Sequence, residues 1–118
     1  MTNILINNAF GTDNPEKASV AFIVGGASAA RDGETALFLT SEAINLARKN
    51  GTDGIQATGY KPMGELVQAY VDNGGILWVC KACADAKGMG PDDLIDGAEI
   101  AGAGHTLSFI DNGAQVLM

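Results

Sequence analysis

Cys80 and Cys83 are the only thiols in this 118-residue chain, three positions apart in ILWVCKACADAKGMG, residues 76–90. Four uses are open to such a pair: a redox couple, half of a metal site, a sulfur-carrying thiol with a neighbour, or two small buried side chains. The choice turns on where the chain puts Cys80. An apolar run leads straight into it and a polar, glycine-punctuated segment follows. Cys80 is therefore expected at the end of a buried strand and the start of a short helix. There its sulfur faces unpaired backbone N–H groups and the positive end of the helix dipole. Lys81, Lys87 and Lys61 add positive charge on the same side. Those groups favour the thiolate, so the pKa is expected below the free value of about 8.5. A thiolate so placed is a nucleophile.

At i, i+3 on a helix the two Cβ atoms stand about 5–6 Å apart, slightly beyond the roughly 3.5–4.5 Å of a disulfide. A small adjustment closes that gap, which makes a dithiol oxidoreductase a competitor to a single carrier thiol. Against it, two helices and most of two βα units precede the pair, whereas a thioredoxin-like domain carries its CxxC nearer the N-terminus. Pro15, Pro62 and Pro91 all fall in helix-opening or turn contexts, leaving no cis-proline candidate. The two cysteines and His105, the one histidine, give three ligands where a closed zinc site takes four. No metal and no cofactor are expected. His105, in GAGHTL, stands at the start of the last helix, either as a base or hydrogen-bond partner for the thiol or its sulfur adduct, or as a surface histidine. GAG is too little for a nucleotide loop, and GGASAARDG falls inside a helix rather than after a strand. Glu42 and Asp13 read as capping residues.

The elements that must position these groups follow from apolar periodicity. Residues 3–8 form a first strand. Asn14-Pro15-Glu16 gives a cap, a proline at the first helical position and an acid in the first turn. Val20, Ile23, Val24, Ala27 and Ala30 then share one helical stripe up to Asp32-Gly33. TALFL, residues 35–39, is a continuous apolar run, read as a buried second strand. Ser41 caps a helix ending at Asn50-Gly51. Pro62 opens another, with Met63, Leu66, Val67, Tyr70 and Val71 at helical spacing, stopped by Asn73-Gly74-Gly75. Residues 76–80 are the third strand, AEIA near residues 98–101 a fourth, GHTLSFIDNG a last short helix and AQVLM a closing strand.

Strands alternating with helices predict a three-layer α/β/α fold on a mostly parallel five-stranded sheet, with residues 1–118 as one domain. Every strand-to-helix loop then emerges at the carboxyl edge, where ligands bind in such sheets. That groups AFGTDN, Ser41-Glu42, CKAC and GAGH on one rim. The segment 51–61 must climb back to the same rim to reach the next helix, and is expected to bring Tyr60 and Lys61 near Cys80. Broad apolar faces on the helices starting at Pro15 and Pro62 predict a homo-oligomer.

Composition narrows the function. Apolar residues make up 47% and charged residues 18%, a globular balance. The formal charge of −7 leaves no basic stripe for nucleic acid and argues against an anionic membrane surface. The opening MTNILINNAFGTDN has neither a basic n-region nor a long apolar h-region, and no run approaches the roughly 20 apolar residues of a membrane helix. A cytoplasmic, reducing setting is expected, in which a close cysteine pair is more often reactive or metal-binding than structural.

The stretches NILINN…GTDNPEKASVAFIVGGASA, TALFLTSEAINLA, ILWVCKACADAKGM and DDLIDGAEIAGAGHTLSFIDNGAQVLM together resemble the DsrE/DsrF group of small sulfur-relay proteins. The most specific feature is the cysteine after the third strand, followed by a short helix and a basic-Gly turn, here Lys87-Gly88. The resemblance implies an α/β/α protein assembling as a trimer or hexamer. It also implies that Cys80 carries sulfur as a persulfide, taken from a protein donor and handed to a protein acceptor. Cys83 departs from the pattern, since the relay cysteine of TusD-like members usually stands without a partner at +3. Two other readings remain: a thiol–disulfide oxidoreductase or redox sensor using Cys80 and Cys83, and a non-catalytic oligomeric interaction protein with buried thiols. In the favoured reading Cys80 is the nucleophile, with Cys83 and His105 assisting and Tyr60, Lys61 and Lys81 lining the rim that receives the sulfur.

Overall fold

The computed structural model describes residues 1–118. The apolar runs form strands β1 (Ile4–Asn8), β2 (Thr35–Leu39), β3 (Ile76–Cys80) and β4 (Ala98–Ala101), with a two-residue β5 (Gln115–Val116). The α-helices are α1 (Pro15–Ala29), α2 (Met63–Asp72), α3 (Lys81–Ala86) and α4 (Ala103–Asp111). The five strands lie in the order β4-β3-β2-β1-β5, and every neighbouring pair is parallel. Their carboxyl ends therefore share one edge, as the alternation of elements requires.

Side-chain alternation divides the sheet into two faces. Ile6, Leu37, Leu39, Leu77 and Val79 point into the larger core, against α1 and α2. Leu5, Ala36, Trp78 and Ala101 form a smaller cluster on the opposite face, joined by Phe38, Ile76 and Phe109 of α4. The register pairs Phe38 with Trp78 and Leu39 with Val79, so Cys80, two residues beyond Trp78, belongs to the α4 face. The larger core is anchored by Tyr70. Its ring meets Phe22 edge-on at 5.8 Å between centroids, and its hydroxyl donates to the Ile76 carbonyl at 2.6 Å. Gly75 lies directly beneath that ring, where a Cβ would collide with it.

One element differs from expectation. The helix opening at Ser41 is a 3₁₀ helix, Ser41–Ala47, not an α-helix running to Asn50. Ala43, Ile44, Leu46 and Ala47 are its buried residues, a spacing that an α-helix would serve equally well. Beyond it the chain is drawn into a bridge between Arg48 and Leu94, with Lys49 N–H donating to the Asp93 carbonyl. An α-helical continuation cannot make those bonds.

The apolar surface also lies elsewhere than the helical stripes indicated. α2 buries Met63, Val67 and Tyr70 and leaves no large apolar side chain exposed. α1 exposes only Ile23 among its large apolar residues. The remaining exposed ones are Met1, Leu107 and Ile110 on α4, and Val116, Leu117 and Met118 at the sheet edge. No helix is long and apolar enough to cross a membrane.

Candidate functional site

β3 delivers Cys80 to the carboxyl edge, half-buried, as the residue that caps α3. Its Sγ accepts the Cys83 backbone N–H at 3.4 Å, which satisfies one of the unpaired donors of a helix start. The thiol opens onto a hollow of about 470 Å³ between α3 and α4, lined also by Phe38, Lys81, Asp85, Gly102, Ala103 and Thr106. That space exceeds what one added sulfur needs and is open enough to admit an incoming thiol.

Cys83 lies beside Cys80, near enough for a side-chain hydrogen bond between the two thiols. Its side chain packs against the larger core, and its Sγ accepts the Ser41 N–H at 3.3 Å. Both cysteines are free thiols. The electrostatics correct the expected thiolate. Burial pushes the Cys80 thiol up, and the neighbouring Cys83 thiol pushes it further, while the backbone N–H groups of Cys83 and Ala82 pull down by less. Two of the three lysines invoked for the opposite effect are occupied, and the third, Lys61, does not line the hollow. Lys81 pairs with Asp85 at 2.8 Å, both largely exposed, and Lys87 pairs with Glu42 at 3.1 Å. A charge already neutralised by a neighbour and solvated does little for a thiol.

The sign has a measurable consequence. A raised thiol pKa stabilises the folded chain below the ordinary cysteine value, and that contribution is lost as pH rises through the raised one. Alkylation of Cys80 should therefore climb with pH to beyond the range of a free cysteine. Cys83→Ala removes the second thiol but keeps its backbone N–H, so the profile should move to lower pH. Iodoacetamide labelling rates read residue by residue across pH check this; an unmoved profile contradicts the role given to Cys83.

The other residues expected at the rim separate. The segment 51–61 does climb to the carboxyl edge, but it arrives at the start of α1, on the β1 side and two strands from β3. There the Tyr60 hydroxyl donates to Glu16 Oε2 at 3.2 Å, and that hydrogen bond raises the phenol pKa. Neither Tyr60 nor the exposed Lys61 lines the Cys80 hollow. His105 also misses it. Gly102, Ala103 and Thr106 face Cys80, whereas His105 lies over the Trp78 ring, 5.6 Å between centroids, in an adjoining hollow with Ser108, Phe109 and Asn112. Helical spacing accounts for this, since residues 105 and 106 point about 100° apart. No group of three or more metal-binding side chains exists.

Sequence reasoning passed over Phe38 and Ser41. Phe38 was detectable, because a parallel register puts alternate residues of β2 and β3 on one face. Ser41 was placed on the rim but read only as a cap. Its contact with Cys83 depends on a left-handed backbone, φ 52°, which no residue type signals when the residue is serine.

The chain is similar to proteins of known sequence and structure. It is 29% identical over 107 residues to the uncharacterized protein MJ0760 of Methanocaldococcus jannaschii, a match covering 91% of this chain and 39% of that protein. It is 26% identical over 84 residues to the uncharacterized protein MJ0989 of the same organism, covering 71% of this chain and 70% of the other. Among solved structures, YchN from E. coli superimposes with a TM-score of 0.69 at 19% identity, over 99% of this chain and 100% of YchN. MTH1491 from Methanobacterium thermoautotrophicum, a protein of unknown function, gives 0.71 at 16% identity, over 99% and 98%. Those two likenesses establish the shared parallel five-stranded fold. A profile of one family matches residues 3–118, nearly the whole chain. The chain belongs to the DsrE/DsrF-like family, a family related in general to sulfur relay.

Proposed function

We propose that the chain is a sulfur carrier, with Cys80 accepting a sulfane sulfur and passing it to a protein partner. The observation that carries this reading is the half-buried Cys80 thiol at the carboxyl edge, opening onto a hollow large enough for a second sulfur. The deprotonated Cys80 Sγ attacks the outer sulfur of a donor persulfide R–S–SH. The Sγ–S bond forms, the donor S–S bond breaks, and R–S⁻ leaves to take up the proton. The reverse attack by an acceptor thiolate on the outer sulfur of Cys80–S–SH completes the relay. The raised thiol pKa makes the thiolate scarcer than for a free cysteine, so loading should quicken as pH rises.

In this reading Lys81 and its partner Asp85 flank the mouth of the hollow. Tyr60, Lys61 and His105 serve the docking surface rather than the chemistry. The 118 residues act as one cytoplasmic domain needing no cofactor, and copies assemble as a trimer or hexamer through apolar positions such as Leu107, Ile110, Val116 and Leu117. Static light scattering should then give three or six times 12.1 kDa; a monodisperse monomer contradicts the assembly. The chemistry is tested by preloading with inorganic polysulfide, desalting, and adding cyanide as acceptor. Thiocyanate should form from the untreated chain. Equal amounts from a chain alkylated at both thiols would overturn the reading.

A further inference from the structure

Cys83 is held by a device of its own, at a place where the relay step just described does not use it. Ser41 is one of few non-glycine residues with positive φ, at 52°, and it stands at the carboxyl end of β2. That conformation turns its N–H toward Cys83 Sγ at 3.3 Å. The carbonyl of the same residue accepts Lys87 Nζ at 3.3 Å, and Lys87 Nζ also meets Glu42 Oε1 at 3.1 Å. On its far side the segment is braced by the loop after β1, where Gly11 approaches the Glu42 carbonyl so closely that a Cβ would overlap it. Lys87 follows α3 directly. The helix that carries Cys83 is thus tied, through one lysine, to the residue whose N–H donates to Cys83. A left-handed serine is sparsely populated unless its surroundings hold it there. A surface lysine–carboxylate pair serving stability alone has no need to bind the carbonyl of a strained residue as well.

We infer that Ser41, latched at its carbonyl by Lys87, positions Cys83 to attack the Cys80 persulfide, so that the chain can discharge its sulfur as hydrosulfide. This rests on the relay reading, because Cys80 must first be loaded. The atoms balance without an outside oxidant. Cys83 Sγ bonds to Cys80 Sγ, and the bond between Cys80 Sγ and the outer sulfur breaks. The outer sulfur leaves as HS⁻ with the electron pair and takes up the Cys83 proton. The sulfane sulfur is reduced while two cysteines become a disulfide, and an external dithiol returns them to thiols for another round. The placement of the two side chains suits the sequence of steps: Cys80 opens onto the hollow beside α4 and receives there, while Cys83, seated on the core side, is already within side-chain hydrogen-bond reach of it. Lys87 acts here as a positioning residue, touching neither sulfur.

The test is a single turnover of the full chain. Wild type, Lys87→Met, Lys87→Arg and Cys83→Ser are loaded with inorganic polysulfide and desalted. Released sulfide is then trapped with monobromobimane over time, and disulfide formation is followed by a loss of about 2 Da relative to the reduced chain. Lys87→Met should load as much sulfur as wild type yet release it about tenfold more slowly, the scale of effect expected when a reacting group is misplaced. Lys87→Arg, which keeps the cation and its donors, should restore the rate. Cys83→Ser should hold its sulfur. Normal loading with wild-type release from Lys87→Met, or failure of arginine to rescue, overturns the inference and leaves the relay reading standing. A wild-type chain that never gains sulfur removes both.

Discussion

Cys80→Ser should take up no sulfane sulfur, a loss of at least about 10³-fold in loading rate, because a serine hydroxyl is not ionised near neutral pH and forms no persulfide. The substitution tests chemistry rather than folding. Serine is close to cysteine in size and is a favoured residue at a helix start, where its Oγ can accept the same Cys83 N–H that Cys80 Sγ accepts now. The folded stability should therefore stay within about 0.5 kcal/mol of wild type, as for substitutions that break no cap or core contact. Cys83→Ser, by contrast, should load at least as well as wild type. A dithiol oxidoreductase predicts the opposite symmetry, with both variants equally inactive. Urea denaturation beside a loading time course separates these cases; a loaded Cys80→Ser chain contradicts the assignment of the nucleophile.

The second large effect lies in the core beneath the rim. Tyr70→Ala should cost about 3–5 kcal/mol, the range for truncating a large buried aromatic, and so a large share of the roughly 5–15 kcal/mol that holds a domain folded. Tyr70 is fully buried, meets Phe22 edge-on, and bridges α2 to β3 through its hydroxyl bond to Ile76. Its ring sits between Gly25 of α1 and Gly75, either of which would press a Cβ against it. Tyr70→Phe keeps the packing and strands the carbonyl of Ile76, with that of Thr35 3.2 Å away, at a cost of about 1–3 kcal/mol. Burial raises the Tyr70 pKa well above the ordinary 10.0. Its contribution is therefore complete below that value and lost as pH rises toward the raised one. Urea midpoints at neutral and alkaline pH measure both effects, and a Tyr70→Ala chain within 1 kcal/mol of wild type contradicts this account of the core.

What the sequence disclosed follows from which physical signals are local. Continuous apolar runs such as TALFL and ILWVC are set by burial on both faces of a sheet, and each became a strand over the residues expected. The parallel order and the shared carboxyl edge then followed from alternation with helices. The 3₁₀ winding at Ser41–Ala47 was hidden, because it is imposed by the bridge to Leu94, a partner forty-six residues from Arg48. The rim residues were legible as a set but not as neighbours. Tyr60 went to Glu16 on the β1 side, and His105 turned to Trp78 rather than toward Cys80. The expected lowering of the Cys80 pKa considered only backbone N–H groups and lysines; burial and the second thiol, both tertiary facts, reverse it.

The most direct test of the central claim is the mass of the intact Cys83→Ser chain after exposure to inorganic polysulfide, followed by peptide mapping. With no second thiol to resolve it, the adduct should persist as a gain of about 32 Da, one sulfur, on the peptide containing Cys80. A Cys83→Ser chain that gains nothing, while wild type only loses about 2 Da, would mean that the pair is a dithiol switch and that Cys80 carries no sulfur.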